Sequence, residues 1–187
     1  MKKLFVTQIV SVKKSTKPKF NIMAQTKLGE NTVNTSGNLP AVGSQLPDFT
    51  LTSTDLTDVK LDQFSGKKLI LNIFPSIDTG VCASSVREFN KRAAAVADTA
   101  VICISKDLPF AMKRFCGAEG ISNVVTASDF RNEGFAKNYG VEFIDGKLRG
   151  LCARAVIVAD ENKNIKYVEL VPAVGQEPNY DAAFNAI

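Results

Sequence analysis

The chain has 187 residues, 45% of them apolar and 22% charged, a balance suited to one globular domain with a substantial core. Its formal charge of +4 is uneven: residues 1–22 hold six lysines and no acid, which leaves −2 for the rest and no nucleic-acid footprint there. Histidine is absent, which excludes Ser-His-Asp and Cys-His catalysis and any zinc site built on imidazole.

Residues 1–22 begin with the charged start of a signal peptide, but the apolar stretch is short, is broken by Thr7 and Gln8, and runs into further lysines. They are expected to be a basic, disordered extension ahead of a single domain over residues 23–187. No stretch is long and apolar enough to span a membrane, and a cytoplasmic location is expected.

Residues 31–65 read as short strands and turns, with Gly37, Pro40, Gly43 and Pro47 as punctuation and residues 49–53 alternating as a strand. Residues 69–74 form an apolar run that reads as a buried strand. From residue 81 to 97 the apolar side chains Cys82, Val86, Phe89, Ala93 and Val96 recur at spacings of three and four, one face of a helix. Arg87, Glu88, Asn90, Lys91 and Arg92 fall on the other side. Residues 100–105 are a second buried strand. Pro109 suits a first helical position, and the helix it opens is expected to stop at Gly117. A short strand over 123–126, a helix over 129–139 closed by Gly140, strands over 153–159 and 165–171, and a last helix from Asn179 complete the chain. Strands alternating with helices indicate an α/β sandwich around one sheet.

Four cysteines lie along this pattern: Cys82, Cys103, Cys116 and Cys152. They contain no C-x-x-C pair, which argues against a Cys₄ zinc site and against thioredoxin-like dithiol exchange. Cys103 sits inside an apolar strand and reads as a core residue, and Cys152 as a spare thiol. Cys82 is different. Thr79 is a natural N-cap, which puts Cys82 in the first helical turn, where orphan N–H groups and the helix dipole favour a thiolate over a thiol. A small buried hydrophobe is the competing reading of the same residue. Cys116 ends the helix that Pro109 begins, and reads equally as a core thiol. Arg154 opens the apolar run 153–159, where its charge needs either a partner or solvent.

The string Asn72-Ile-Phe-Pro75-Ser-Ile-Asp-Thr79-Gly-Val-Cys82 carries the pattern Pro-x-x-x-Thr-x-x-Cys and closely resembles the bacterial thiol peroxidase branch of the peroxiredoxins. The likeness continues through Cys103-Ile-Ser, Asp107-Leu-Pro-Phe-Ala111, Arg114-Phe-Cys-Gly-Ala-Glu-Gly120, Phe130-Arg-Asn132, Tyr139-Gly-Val141 and Ala153-Arg-Ala-Val156, in effect from Met23 onward. The resemblance implies a thioredoxin-like fold of the peroxiredoxin type with an added N-terminal β-hairpin. It implies an atypical two-cysteine peroxidase with Cys82 as the peroxidatic thiol and Cys116 as the resolving one, joined during turnover by a Cys82–Cys116 disulfide. Thr79 would hydrogen-bond sulfur and peroxide, Arg154 would hold the developing charge, and Pro75 would shield the site. Hydrogen peroxide and alkyl hydroperoxides are the implied substrates, thioredoxin the implied reductant, and a homodimer the implied assembly. Sulfur performs the electron transfer in this family, so no metal, haem or flavin is implied. Two rivals remain, a redox sensor whose cysteine pair switches a partner, and a structural domain with an inert Cys82.

Overall fold

The computed structural model describes residues 23–132 and 134–187, and the expected basic extension over residues 1–22 lies outside them. Strands β1 (Gln25–Leu28) and β2 (Asn31–Asn34) pair antiparallel as a separate hairpin, the N-terminal addition expected from the resemblance. The hairpin is tied to the body by Thr26, whose hydroxyl donates to the Val171 carbonyl at 2.8 Å.

Seven strands make the central sheet. In chain order they are β3 (Thr50–Ser53), β4 (Asp58–Lys60), β5 (Lys68–Ile73), β6 (Thr99–Ser105), β7 (Val125–Ser128), β8 (Ala155–Ala159) and β9 (Ile165–Leu170). Across the sheet they run β4-β3-β7-β6-β5-β8-β9, with β5, β6 and β7 parallel and the other pairings antiparallel. Helices α1 (Gly80–Ala93) and α2 (Pro109–Glu119) make the crossovers between the parallel strands, as parallel pairing requires. Helices α3 (Phe135–Asn138) and α4 (Tyr180–Asn185) follow. Helix α4 starts where expected, and Asn179 caps it, its side-chain oxygen accepting from the Ala182 amide at 2.9 Å.

The central strands are buried on both faces, so their side chains divide with period two between two cores. Leu69, Leu71 and Ile73 of β5 join Ile102, Ile104, Ala155 and Ile157 on one face. On the other face Ile70, Val101, Val156 and Val158 pack with Phe89 of α1 and Ala183 of α4. A third cluster of Phe74, Ile77, Cys82, Val86 and Cys103 lies between α1, α2 and the sheet.

Several element ends differ from the sequence expectation. Helix α1 stops at Ala93 rather than 97: the Ala95 and Val96 amides turn back to the Arg92 and Ala93 carbonyls, and Asp98, at a left-handed φ of 53°, then leads the chain into β6 beside Lys68. Helix α2 runs through Gly117 and ends at Gly120, which takes the left-handed cap at φ 64°; the Cys116 carbonyl accepts the closing bond from the Ile121 amide. Glycine inside a helix costs only about 1 kcal/mol, and Gly120 supplies the left-handed cap one turn later. Strand β7 lies two residues later than expected, at the register that pairs Ile102 with Val125. The helix expected from 129 begins only at Phe135. Asp129 instead folds its carboxylate onto the Phe135 and Ala136 amides at 3.1 and 3.0 Å. Strand β8 begins at Ala155, since Cys152 and Ala153 leave the sheet to bond with Glu142 and Val141.

Candidate active site

Cys82 lies in the first turn of α1, at the open end of β5, and is fully buried. Phe74, Ile77 and Val86 close around it. Two polar groups reach its sulfur. Thr79 Oγ1 donates to Cys82 Sγ at 2.8 Å, and Arg154 Nη2 donates at 3.3 Å.

Thr79 occupies the N-cap position with extended φ and ψ, yet its hydroxyl makes no cap bond. Oγ1 lies near the Ser76 carbonyl and Cys82 Sγ instead, so the side chain serves the sulfur rather than the helix. This corrects the capping role expected of it. The amides of the first turn therefore gain no acceptor from the Thr79 side chain, and the positive end of the helix faces the sulfur.

Arg154 is 2% exposed, so its charge is paired rather than solvated. Its Nε and Nη2 donate to the Val174 carbonyl at 3.2 and 3.0 Å, which aims the guanidinium at Cys82. Nη1 is buried with no hydrogen-bond partner among the described residues, leaving one donor free on the group that holds the sulfur. Pro75 is buried two residues after β5, in the loop into α1.

The other thiols divide clearly. Cys103 is fully buried on β6, where desolvation pushes its pKa up to about 12 against a bond from Asn72 Nδ2. Cys152 is fully buried, and burial likewise raises it strongly. Cys116 is half-buried in the last turn of α2, with its thiol raised mainly by burial and 3.8 Å from Thr126 Oγ1. It opens on a surface cleft of about 440 Å³ shared with Lys113, Gly117, Ile121 and Thr126. All four cysteines are free, so Cys82 and Cys116 stand apart in this reduced form. Between them Phe115 packs against the cluster that contains Cys82 and Cys103.

Two features escaped sequence reasoning. The Val174 carbonyl orients Arg154, and a backbone acceptor carries no signal in the sequence. The Asp107 carboxylate accepts from Ser76 Oγ and the Ile77 amide, both at 2.7 Å, in the loop that leads to Thr79 and Cys82. Its signal was the string Asp107-Leu-Pro-Phe-Ala111, which fitted the family pattern but suggested no role.

A buried cysteine at a helix N-terminus, gripped by a hydroxyl and a guanidinium on a thioredoxin-like sheet, defines a thiol-redox protein. The Redoxin family model matches residues 41–184. The thiol peroxidase of Mycobacterium tuberculosis strain H37Rv is 58% identical over 165 residues, spanning 88% of this chain and 99% of the relative. A peroxiredoxin-like protein from Aquifex aeolicus superposes with a TM-score of 0.82 at 38% identity, over 87% of this chain and 95% of that one. A thiol peroxidase from Chromobacterium violaceum shares the fold at a TM-score of 0.80 and 24% identity, over 86% and 93% of the two chains. The chain belongs to the Redoxin family and, within it, to the thiol peroxidases.

Proposed function

We propose that this thiol peroxidase reduces hydrogen peroxide and organic hydroperoxides at Cys82. The observation that carries the reading is the paired grip of Thr79 and Arg154 on one buried sulfur. The Cys82 thiolate attacks one peroxide oxygen and the O–O bond breaks. Its electron pair leaves on the second oxygen, which takes a proton and departs as water or alcohol. Cys82 becomes a sulfenic acid. Arg154 offers its free Nη1 donor to the oxygen on which charge grows, in a dry site where such a contact acts at low dielectric. Pro75 contributes by shielding the sulfur from water.

Cys116 is the resolving thiol of this reading. Its sulfur displaces the sulfenic oxygen as water and forms an intramolecular Cys82–Cys116 disulfide, which a thioredoxin dithiol reduces to two thiols. We place the protein in the cytoplasm, where such a reductant is available. The assembly we propose is a homodimer, and sedimentation of the reduced protein tests it. Residues 1–22 are assigned to an extension outside the catalytic domain. Thioredoxin-coupled peroxide turnover tests the whole reading. Wild type is expected to turn over, Cys82→Ser to be inactive, Cys116→Ser to stall after one oxidation, and Cys103→Ser to stay near wild type. Full turnover in Cys82→Ser overturns the assignment.

A further inference from the structure

Thr79 and Cys82 depend on a loop, residues 74–79, that lies between the end of β5 and the start of α1. Beyond Phe74, whose amide still donates to the Ile104 carbonyl at 3.0 Å, the loop has no ladder bond to a neighbouring strand among the described residues and is fixed by side chains. Asp107 supplies the fixing. One carboxylate oxygen accepts from Ser76 Oγ at 2.7 Å, and the other accepts from the Ile77 amide at 2.7 Å and from Ser105 Oγ at 2.7 Å. Hydrogen bonds to a carboxylate are short and about twice as strong as neutral ones. Asp107 is itself held from behind. Its amide donates to Ser105 Oγ at 3.1 Å, and its carbonyl accepts from Ser128 Oγ at 2.5 Å. Ser105 ends β6 and Ser128 ends β7, so the carboxylate stands on two paired strands of the central sheet.

The loop gains a defined shape from this anchor. Ser76 also connects directly to the reactive residues, because its carbonyl accepts from the Thr79 amide at 3.2 Å, which leaves the single Thr79 hydroxyl proton for Cys82 Sγ. A continuous chain of bonds therefore runs from the ends of β6 and β7 through Asp107 and Ser76 to Thr79 and then to Cys82 Sγ. Asp107 reaches neither the sulfur nor Arg154, whose position depends on Val174. Asp107 also stands two residues before Pro109, where α2 and ultimately Cys116 begin.

We infer that Asp107 is a positioning residue for peroxide attack, setting the Thr79 hydroxyl against the Cys82 sulfur through Ser76 and Ile77. The inference rests on Cys82 being the attacking thiol. Loss of the anchor leaves Arg154 in place and frees the loop to shift, and a misplacement of about 1 Å in a reacting group costs up to about 100-fold. Two half-reactions make up the cycle, so kcat/KM for peroxide reports oxidation of Cys82, and kcat at saturating peroxide reports resolution and reduction.

The experiment measures both parameters, with melting curves, for wild type, Asp107→Asn and Ser76→Ala in the full chain. Asp107→Asn keeps the volume but loses the charge and one acceptor, and is expected to lower kcat/KM for hydrogen peroxide about tenfold or more with kcat within twofold. Ser76→Ala removes one of the three carboxylate bonds and is expected to show a smaller loss of the same kind. If Asp107→Asn folds poorly, Ser76→Ala alone decides by the same split. Unchanged kcat/KM in both variants overturns the inference. Equal falls in kcat and kcat/KM also overturn it, since a merely structural role lowers the active fraction and moves both together. Failure of wild-type Cys82 to react with peroxide would overturn the proposed function instead, and the two failures are distinct.

Discussion

Arg154 Nη2 donates to Cys82 Sγ at 3.3 Å across 72 residues of sequence. The contact follows from the sheet, where β8 runs antiparallel to β5 and pairs Ala155 with Ile73. Arg154 therefore stands at the same end of the sheet as the loop from β5 into α1. Removing one charge-stabilising group from a preorganised site costs about 100-fold or more. Arg154→Ala is expected to slow Cys82 oxidation by at least that factor, and stopped-flow mixing with peroxide measures it. Arg154→Lys should recover little, because a single ammonium cannot satisfy both Val174 and the sulfur in the guanidinium's geometry. Wild-type oxidation in Arg154→Ala would remove the role.

Thr79→Val separates capping from chemistry. Losing an N-cap side chain typically costs about 1 kcal/mol. Thr79 makes no cap bond, so the substitution should cost the fold less than that while slowing peroxide oxidation about tenfold or more. Urea denaturation beside peroxide kinetics reads the two effects. A large stability loss with normal kinetics would make Thr79 a cap after all.

Formation of the proposed Cys82–Cys116 disulfide is expected to require the two cysteine helices to open. A bridge needs Cα atoms within about 7 Å, and Cys82 is enclosed while Phe115 packs against its cluster. The helices are also held by Arg87, whose Nε and Nη2 both donate to Glu119 at 2.8 Å, and by Arg114 paired with Asp78 at 2.9 Å. These pairs are exposed and worth little each, so they can yield. Hydrogen exchange of the oxidised protein should show lost protection over residues 79–84 and 109–120, with β6 and β8 unchanged. Equal protection in both forms, with the bridge confirmed by peptide mapping, would mean that no opening is needed.

Burial of Cys103 makes stability depend on alkaline pH. Its folded thiol stays neutral until about pH 12, whereas an exposed thiol ionises near 9.0. Between those values the unfolded chain binds fewer protons, so stability falls as pH rises through that window and is unaffected below it. Cys103→Ala should flatten the dependence of the urea midpoint between pH 9 and 11 relative to wild type. Parallel slopes for the two proteins would refute it.

Gly140 ends α3 at φ 68°, and a Cβ there would lie 2.3 Å from the Asn38 carbonyl oxygen. The obstruction is backbone, which cannot swing aside. Gly140→Ala is expected to lower stability by at least about 2 kcal/mol, read by urea denaturation. A loss under half of that would show that the 38–40 segment moves freely.

Sequence alone determined the parts that neighbours encode. The 3–4 spacing from Cys82 to Phe89 specified the helix, the apolar runs at 69–74 and 100–105 specified buried strands, and Asn179 marked the start of the last helix. In each case the interaction spans a few residues, so the pattern is complete within one window of the chain. The Pro75, Thr79 and Cys82 spacing was legible for the same reason. Only the tertiary structure decided the rest. The Thr79 hydroxyl had two local uses, cap or sulfur ligand, and packing of the loop selected the sulfur. The helix from Pro109 passed Gly117, at a small local penalty, and ended at the left-handed cap that Gly120 supplies. Arg154 had equal local claims on solvent and on a buried partner, and strand register settled it by bringing residue 155 opposite residue 73. Asp107 became an anchor because the ends of β5, β6 and β7 meet at one edge, a closeness that no local pattern contains.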